Sequence, residues 1–159
     1  MRIYAYTYAY MPLSSDSSVP CNCTALREAA RYVTQMYDQR LAGAGLRATQ
    51  FSILARLKAL GPTTINALAK DLVMDRTTLG RNILPLQRRR LIAVTKGRDD
   101  ARSKQLQLTK SGLARLEAAV ADWAKAQAQF EGALGSDRAS QLRDLLRSVV
   151  ESNFSATLA

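Results

Sequence analysis

The chain has 159 residues, of which 47% are hydrophobic, and its 23 Lys+Arg against 13 Asp+Glu give a formal net charge of +10. This is the length of one ordinary domain, which buries a core without help from disulfides or metal. The charge points to a polyanionic partner, with nucleic acid ahead of an anionic membrane surface. The alternative is a basic protein whose charge serves only solubility.

An enzyme is not expected from this composition. The chain has no histidine, the commonest general base and metal ligand, and it shows no paired carboxylates or nucleophile motif. Cys21 and Cys23 lie in CNC, with no second cluster to complete a tetrahedral zinc site. We therefore predict neither a metal nor another cofactor.

The sequence predicts a cytoplasmic location and no membrane partner. No apolar run approaches the roughly 20 residues of a membrane span. The N-terminus also lacks the charged, apolar and small-residue order of a signal peptide.

Residues 1–22 are expected to be extended or poorly ordered. MRIYAYTYAY alternates tyrosine with small residues, as a strand would, and MPLSSDSSVP is polar and loop-like. The alternation is either a real element or the product of translation from upstream of a start at Met11. We assign this segment no function.

Three helices are predicted in the next part of the chain. From Thr24, apolar residues recur at three- and four-residue spacings up to Leu41, and Gly43 and Gly45 end the helix. LRATQFSILARLKAL repeats the period and breaks at Gly61-Pro62. TTINALAKDL forms a third, shorter helix that begins at threonine.

DRTTLGRNILPLQRRRLI, residues 75–92, has no acid after its first residue and five arginines. Asp75 is a good N-cap, and Leu79, Ile83 and Leu86 form one apolar stripe. The opposite face is polar and cationic, and it carries Thr77, Gly80, Arg81, Leu84 and Arg88, with Thr78 and Pro85 at its edge. Two short helices joined by a tight turn near Val73 to Asp75 describe a helix-turn-helix with its recognition helix. The alternative is an ordinary basic surface helix.

Pro85 divides the roles of the arginines on this predicted recognition helix. It cannot donate to the carbonyl of Arg81, so the helix should bend or loosen there. We expect base contacts near the start of the helix and phosphate contacts from Arg88 to Arg90 near its end. The DNA-binding candidates on this helix are Arg76, Thr77, Thr78, Arg81 and Arg88.

The segment after the recognition helix predicts a β-hairpin wing. LIAVTK and QLQLT alternate apolar and polar residues around the turn-like GRDDARSK. Arg98, Arg102 and Lys104 are candidates for a minor-groove contact. Asp100 is a candidate for stabilising the wing by pairing with Arg102, the alternative being a solvated salt bridge of little energetic value.

The C-terminal third fits a dimerisation role. SGLARLEAAVADWAKAQAQFEGAL keeps an apolar stripe over many turns, Gly135 breaks it, and Ser136 is predicted to cap the next helix. That helix carries a second stripe, consisting of Leu142, Leu145, Leu146, Val149 and Val150. A partner subunit is the economical way to cover such faces, and the alternative is packing within a monomeric bundle.

From about Cys23 to Phe154 the chain resembles the MarR family of transcriptional regulators. The resemblance is carried by GLRATQFSIL, by LAKDLVMDRTTLGRNILPLQRRRLI, and by RDDARSKQLQLTKSG. It implies a homodimer with interlocked N- and C-terminal helices that presents two winged helices to a pseudo-palindromic double-stranded DNA site. It also implies that Thr77, Thr78 and Arg81 read bases and that Arg102 is the wing arginine of the minor groove.

Two residues depart from the family pattern. Arg90 stands where the family usually has glycine, at a position where a left-handed helix cap suits glycine. We therefore expect this helix end to close differently. Gln87 stands where an acid is common, which leaves the helix more cationic.

The predicted fold class is mainly α with a small β-hairpin wing: a winged helix-turn-helix plus N- and C-terminal dimerisation helices. The predicted domains are an N-terminal segment (1–22), a dimerisation helix (23–46), the DNA-binding lobe (47–111) and the C-terminal dimerisation helices (112–159).

Family resemblance further implies release from DNA by a small aromatic or phenolic acid, or by cysteine oxidation. Cys21 and Cys23 are redox candidates, because the helix dipole and Arg27 could lower a thiol pKa; the alternative is that both are inert. Candidates for an effector pocket are Arg27, Arg31, Tyr32, Met36, Tyr37, Phe51 and Trp123. The alternative for this set is plain core.

The predicted function is that of a sequence-specific DNA-binding regulator, a repressor by family habit. The alternative is a sequence-indifferent architectural or RNA-binding protein. The absence of stacking aromatics on the basic face and the presence of a wing argue against that alternative.

Overall fold

The structure, a computed structural model, describes residues 21–96 and 104–152. Within these ranges the helices are α1 (Asn22–Leu41), α2 (Ala48–Leu60), α3 (Ile65–Asp71), α4 (Arg76–Arg88), α5 (Lys110–Leu134) and α6 (Ser136–Glu151). The strands are β1 (Thr63–Thr64), β2 (Ile92–Lys96) and β3 (Lys104–Leu108). The predicted class, mainly α with a small β wing, is confirmed. The predictions for residues 1–20 lie outside the described residues.

The chain divides into two structural units between Val33 and Thr34. In the first unit, Cys21 is exposed directly before α1, and Cys23, Arg27 and Arg31 are exposed on the first half of that helix. All packing described below lies within the second unit.

The predicted helix starts depend on local caps, and most are present. The Ala67 amide donates to Thr64 Oγ1 at 3.2 Å, and the Thr78 amide donates to Asp75 Oδ1 at 2.8 Å. The prediction for Ser136 is wrong. Helix α6 already includes Ser136, so the N-cap position falls on Gly135, which has a φ of 91° and no side chain to cap with.

The wing belongs to a three-stranded antiparallel sheet in the order β1-β3-β2. Ile92 pairs with Leu108 and Lys96 with Lys104, which is the predicted hairpin. The sequence prediction missed β1, where Thr63 pairs with Leu106. Two residues are too few to show an alternating pattern, and threonine is equally expected at the start of a helix.

The core is centred on α2 and α4. Ile53, Leu54 and Leu57 of α2 are buried, as is the predicted stripe of α4, which comprises Leu79, Ile83 and Leu86. Leu106 of the wing packs into the same cluster. The sheet and the recognition helix are thus fixed to one another through a shared core.

The C-terminal end of α4 closes around Arg90 in the left-handed conformation, with a φ of 57°. The Leu91 amide donates to Leu86 O at 2.9 Å and the Arg90 amide donates to Gln87 O at 2.8 Å. These two bonds form a Schellman motif. The expectation that arginine would make this end close differently is therefore wrong. The buried side chains of Leu86 and Leu91 hold the ordinary closure, and Arg90 adopts the left-handed conformation despite its steric cost.

Arg90→Gly is expected to stabilise the protein by about 0.5–1 kcal/mol. Glycine removes the steric penalty of a Cβ in the left-handed region, about 1–2 kcal/mol. Part of this stabilisation is offset, because glycine also gives the unfolded chain more conformational entropy. Urea unfolding at two protein concentrations measures the change. Arg90→Ala is the matched control, because it loses the guanidinium and keeps the Cβ; equal stabilisation by both variants would contradict this explanation.

Helices α5 and α6 leave apolar side chains uncovered within the described chain. Leu116, Ala119 and Ala126 of α5 are buried. On α6 only Ala139 is buried among the described residues, while Leu145 is 64% exposed and Val150 is 57% exposed. The exposed face of α6 also includes Leu142, Leu146 and Val149.

Candidate nucleic-acid interface

The predicted helix-turn-helix is formed by α3, the turn Leu72 to Asp75, and α4. The turn repeats the closure seen at Arg90: Val73 has a φ of 52°, and the Met74 amide donates to Ala69 O at 2.8 Å. Leu68 and Ala69 are buried beneath this turn. A β-branched residue in the left-handed region is unusual, and it is held here by the packing on either side.

The face of α4 opposite its buried stripe is open to solvent. Its exposed residues include all five candidates predicted on this helix: Arg76, Thr77, Thr78, Arg81 and Arg88. Leu84 lies on the same face and is 50% exposed. Cations, hydroxyls and one apolar side chain are what contacts to phosphates, base edges and thymine methyl groups require.

Asp75 fixes the first turn of α4. Hydrogen bonds from the hydroxyl and the backbone amide of Thr78 lower the pKa of the Asp75 carboxyl. Because the Thr78 hydroxyl donates to Asp75, its oxygen remains available as an acceptor. This arrangement suits Thr78 to a contact with a donor such as an amino group on a base edge.

Asp75→Ala is expected to lower the melting temperature at neutral pH, with the difference from the unsubstituted protein disappearing in acid. Since the folded pKa lies below the unfolded value, the stabilisation is present above the unfolded pKa and is lost as pH falls through the folded pKa. Thermal melts of both proteins from pH 7 to about pH 3 measure this difference in melting temperature. Asp75→Asn, which keeps an acceptor oxygen, should stay close to the unsubstituted protein at neutral pH. A constant difference for Asp75→Ala across the range would contradict this role.

Pro85 lies inside α4 and does not end it, since the helix continues to Arg88. It lacks the N–H that would donate to the carbonyl of Arg81. The Arg89 amide in turn donates to Pro85 O at 3.2 Å, so the hydrogen-bonding pattern resumes after the proline. The first two turns of α4 precede the proline.

Arg89, one of the expected phosphate contacts, makes a hydrogen bond within the protein. Its Nη1 donates to the carbonyl of Gly45 at 2.7 Å. Arg115 Nη1 of α5 donates to the neighbouring carbonyl of Ala44 at 3.1 Å. Sequence reasoning missed both bonds, because no local pattern links an arginine to a carbonyl more than 40 residues away.

Only part of the wing lies within the described residues. Lys104 begins β3 and is exposed, opposite Lys96 at the end of the hairpin that adjoins residues 97–103. The predictions for Arg98, Asp100 and Arg102 fall on residues 97–103, outside the described residues.

The two cysteines are exposed free thiols at the start of α1. Hydrogen bonds from the side chain and then the backbone amide of Thr24 lower the pKa of the Cys21 thiol. The predicted direction for a thiol at this helix start is therefore found for Cys21. The expected cause, Arg27, is not among the groups that lower it.

The second-unit members of the predicted effector set take part in packing. Phe51 and Trp123 stack with ring centroids 5.9 Å apart and an interplanar angle of 10°, against the core. The Tyr37 hydroxyl donates to Gln127 Oε1, and burial, followed by the charge of Glu131, raises the pKa of Tyr37. Met36 is half-buried. In the first unit, Arg27, Arg31 and Tyr32 are exposed.

A polar cavity of about 590 Å³ adjoins the recognition helix. Its walls include Asp38 of α1, Arg47 before α2, and Arg81 of α4. Asp38 Oδ1 also accepts from the Ala48 amide at 2.7 Å, which fixes the start of α2. The further lining residues are Thr34, Thr49, Gln50, Asn82 and Pro85.

A second cavity of about 410 Å³ lies between the end of α2 and the start of α5. Its walls include Leu57, Lys58, Pro62, Leu108 and Leu113. Among the described residues that line these two cavities, none belongs to the predicted effector set. The aromatic and apolar members of that set belong to apolar stripes, whereas the first cavity is lined mostly by polar residues from three separate segments.

Within residues 21–96 and 104–152, no group of three or more Cys, Asp and Glu side chains is placed to hold a metal ion. Of the helices in this part of the chain, none has the length and apolarity needed to cross a membrane.

Comparison with known families places the helix-turn-helix and wing at the centre of the similarity. A sequence model of the MarR family matches residues 46–104. The chain is 27% identical over 131 residues to the HTH-type transcriptional repressor NicR of Pseudomonas putida, covering 82% of this chain and 83% of NicR.

Solved structures share the fold over most of the chain. The M. tuberculosis transcriptional regulator MOSR, crystallised in complex with DNA, is 34% identical with a TM-score of 0.72, and the match covers 84% of this chain and 99% of MOSR. Bordetella bronchiseptica BpsR, whose DNA binding is regulated by 6-hydroxynicotinic acid, is 25% identical with a TM-score of 0.74, covering 82% and 93% of the two chains.

Proposed function

This chain belongs to the MarR family of transcriptional regulators, and from that premise we propose that it is a sequence-specific repressor that binds a pseudo-palindromic operator as a homodimer. The observation that carries the proposal is the exposed face of α4, where Arg76, Arg81 and Arg88 accompany Thr77 and Thr78. The net charge of +10 supports attraction to DNA. The DNA-bound structure of MOSR and the repressor function of NicR support the same role.

The proposal is tested by fluorescence anisotropy on labelled DNA from upstream of the protein's own gene, against a scrambled duplex at about 150 mM salt. A preference of about a thousandfold, saturating at one dimer per site, is expected. Selection from random duplexes supplies an operator if the upstream region holds none. Equal affinity for all selected and scrambled sequences would overturn sequence-specific repression and favour the architectural alternative.

The homodimer is supported by the uncovered apolar face of α6. The side chains of this stripe are 37% to 64% exposed in the described chain; they are Leu142, Leu145, Leu146, Val149 and Val150. A contiguous apolar face of this kind usually marks an interface. In a twofold dimer, the same face of a second copy would cover it.

Leu145→Glu is expected to convert the dimer to monomer or to unfold it at micromolar concentration, because two carboxylates would meet at a desolvated interface. Light scattering coupled to gel filtration measures the mass. Arg138→Glu is a control on the same helix, since Arg138 is exposed near its start and lies outside the stripe. A Leu145→Glu protein that remains a folded dimer would show that α6 does not carry the interface.

We further propose that a small aromatic carboxylate releases the protein from DNA. The polar cavity supports this because Arg47 and Arg81 are guanidiniums that can bind a carboxylate. A ligand bound to Arg81 would compete directly with base contacts. BpsR, which responds to 6-hydroxynicotinic acid, supports this class of ligand.

Titration with 6-hydroxynicotinate and with salicylate tests the effector proposal by anisotropy and by thermal shift. We expect release from DNA and a raised melting temperature, with Arg47→Met losing both responses. Phe51→Leu tests whether the predicted aromatic set is needed for either response. Failure of both acids to move either signal would overturn the proposal for aromatic carboxylates.

Cysteine oxidation remains a proposed second signal. The exposure of Cys21 and Cys23 and the lowered pKa of Cys21 support a reactive thiol. A disulfide between subunits would convert two thiols to one S–S bond, with the two electrons and two protons taken up by peroxide. After peroxide treatment, the Cys21→Ser and Cys23→Ser proteins should stay bound to DNA, whereas the unsubstituted protein should be released. Non-reducing gels should show a covalent dimer only for the unsubstituted protein. Equal release from all three proteins would overturn the idea.

A further inference from the structure

The turn that follows α1 is held by two arginines from different helices. Residues Ala42–Ala44 form a single 3-10 turn, and Gly45 closes it in the left-handed region with a φ of 65°. Arg89 Nη1 donates to Gly45 O at 2.7 Å, and Arg115 Nη1 donates to Ala44 O at 3.1 Å. Successive carbonyls of one turn thus bind guanidiniums from α5 and from the end of the recognition helix.

These bonds complete the end of α1. Its backbone satisfies two carbonyls internally, since the Leu46 amide donates to Leu41 O and the Gly45 amide donates to Ala42 O. The carbonyls of Ala44 and Gly45 point away from the helix and are the ones that the arginines bind. Cationic donors at a helix C-terminus are also favoured by the helix dipole.

Gly45 makes room for the two guanidiniums. A Cβ on Gly45 would lie 3.3 Å from Arg89 Nη2 and 4.0 Å from Arg115 Nη1. Both guanidiniums therefore lie over the same surface of the turn. The turn, the recognition helix and α5 are joined at this one point.

We propose that Arg89 is a positioning residue that fixes the recognition helix against the end of α1, and so sets the half-site spacing that the dimer accepts. The C-cap position of α4 is Arg89 itself, so its side chain ties the helix end directly to Gly45 O. Arg115 secures the same turn from α5. The inference rests on the proposed function, because spacing has meaning only for a dimer on a two-part site.

A positioning role and a phosphate contact differ in their dependence on salt. Each phosphate neutralised by a cation contributes about 0.9 to the slope of log affinity against log salt. Loss of a phosphate contact therefore lowers that slope and weakens all sequences alike. Loss of a bond inside the protein leaves the slope unchanged and lets the recognition helix take up more than one angle.

The experiment compares Arg89→Met and Arg115→Met with Arg88→Met, using an operator chosen by selection and the same operator with one base pair added or removed at its centre. Methionine keeps much of the side-chain length and removes the donors. For Arg89→Met and Arg115→Met we expect about tenfold weaker binding to the selected operator, an unchanged salt slope, and a smaller preference for the native spacing. For Arg88→Met we expect the slope to fall by about one, with the spacing preference intact.

The results separate the inference from the proposed function. A salt slope for Arg89→Met that falls by about one, with the spacing preference intact and Arg115→Met without effect, would overturn the positioning role. If Arg89→Met only unfolded part of the protein, the fraction able to bind DNA would fall while the spacing preference stayed the same. That result would also overturn the positioning role. If the unsubstituted protein selects no operator, the proposed function itself fails before Arg89 is tested.

Discussion

Gly112→Ala is expected to destabilise the protein by about 3 kcal/mol, the upper end of the usual cost of overpacking. A Cβ at this position would lie 2.0 Å from Leu91 O and 2.8 Å from Leu108 Cδ1. The nearest atom belongs to the backbone, so no side-chain rotation can relieve the clash. The first turn of α5 would have to move away from the end of the recognition helix.

Such a movement would break the joint that Thr109 makes at the start of α5. The Thr109 amide donates to Leu91 O at 3.1 Å, and its hydroxyl donates to Arg90 O at 2.8 Å. Thr109 Oγ1 also accepts from the Gly112 amide at 2.9 Å, as an N-cap does. The segment LTKSG therefore fixes the C-terminal end of α4, the wing and α5 together.

Urea unfolding measures this effect, with Gly132→Ala as the matched control in the same helix. Among the described residues, and apart from the chain neighbours of Gly132 and its own helix backbone, no atom lies within 4 Å of a Cβ built there. That variant should be stabilised by up to about 1 kcal/mol, because alanine is the better helix former. A Gly112→Ala protein within about 1 kcal/mol of the unsubstituted protein would contradict the close contact seen here.

Local signals were sufficient to predict much of the fold from the sequence. Asp75 and Thr64 cap helices through residues three positions away, and the spacing of Leu79, Ile83 and Leu86 marks the buried side of α4 without knowledge of any neighbour. These features depend on one helical turn at a time. The exposed face of the recognition helix followed directly from them.

Features that depend on distant segments could not be predicted in this way. Strand β1 exists because Thr63 meets Leu106, and two residues carry no period of their own. The bond from Arg89 to Gly45 joins segments that only the folded core brings together. In the same way, the polar cavity assembles Asp38, Arg47 and Arg81 from three segments.

The predicted effector set illustrates a different difficulty. An apolar stripe is produced equally by a core and by a ligand pocket, because both bury hydrophobic surface. Phe51 and Trp123 stack on each other, which agrees with the alternative that these residues are plain core. The polar cavity is instead distinguished by charged side chains around empty space, namely Arg47, Arg81 and Asp38.

Arg81→Ala is expected to reduce the preference for the operator over a scrambled duplex by about 5- to 150-fold, while affinity for the scrambled duplex changes far less. Arg81 is exposed on the second turn of α4, where a guanidinium can donate two hydrogen bonds to one guanine. A bidentate contact of this kind discriminates between bases by about 1–3 kcal/mol. The loss should be confined to one base pair of each half-site.

Anisotropy on the selected operator and on a panel of single base-pair variants measures this preference. Arg88→Ala is the matched control, since Arg88 lies two turns further along the same helix and is expected to contact phosphate. It should weaken every duplex alike and lower the salt slope by about one. If Arg81→Ala instead weakened specific and scrambled duplexes equally, with the same fall in slope, Arg81 would be a phosphate contact. Base reading would then have to fall to Thr77 and Thr78, whose hydroxyls offer one or two hydrogen bonds each and a correspondingly smaller discrimination.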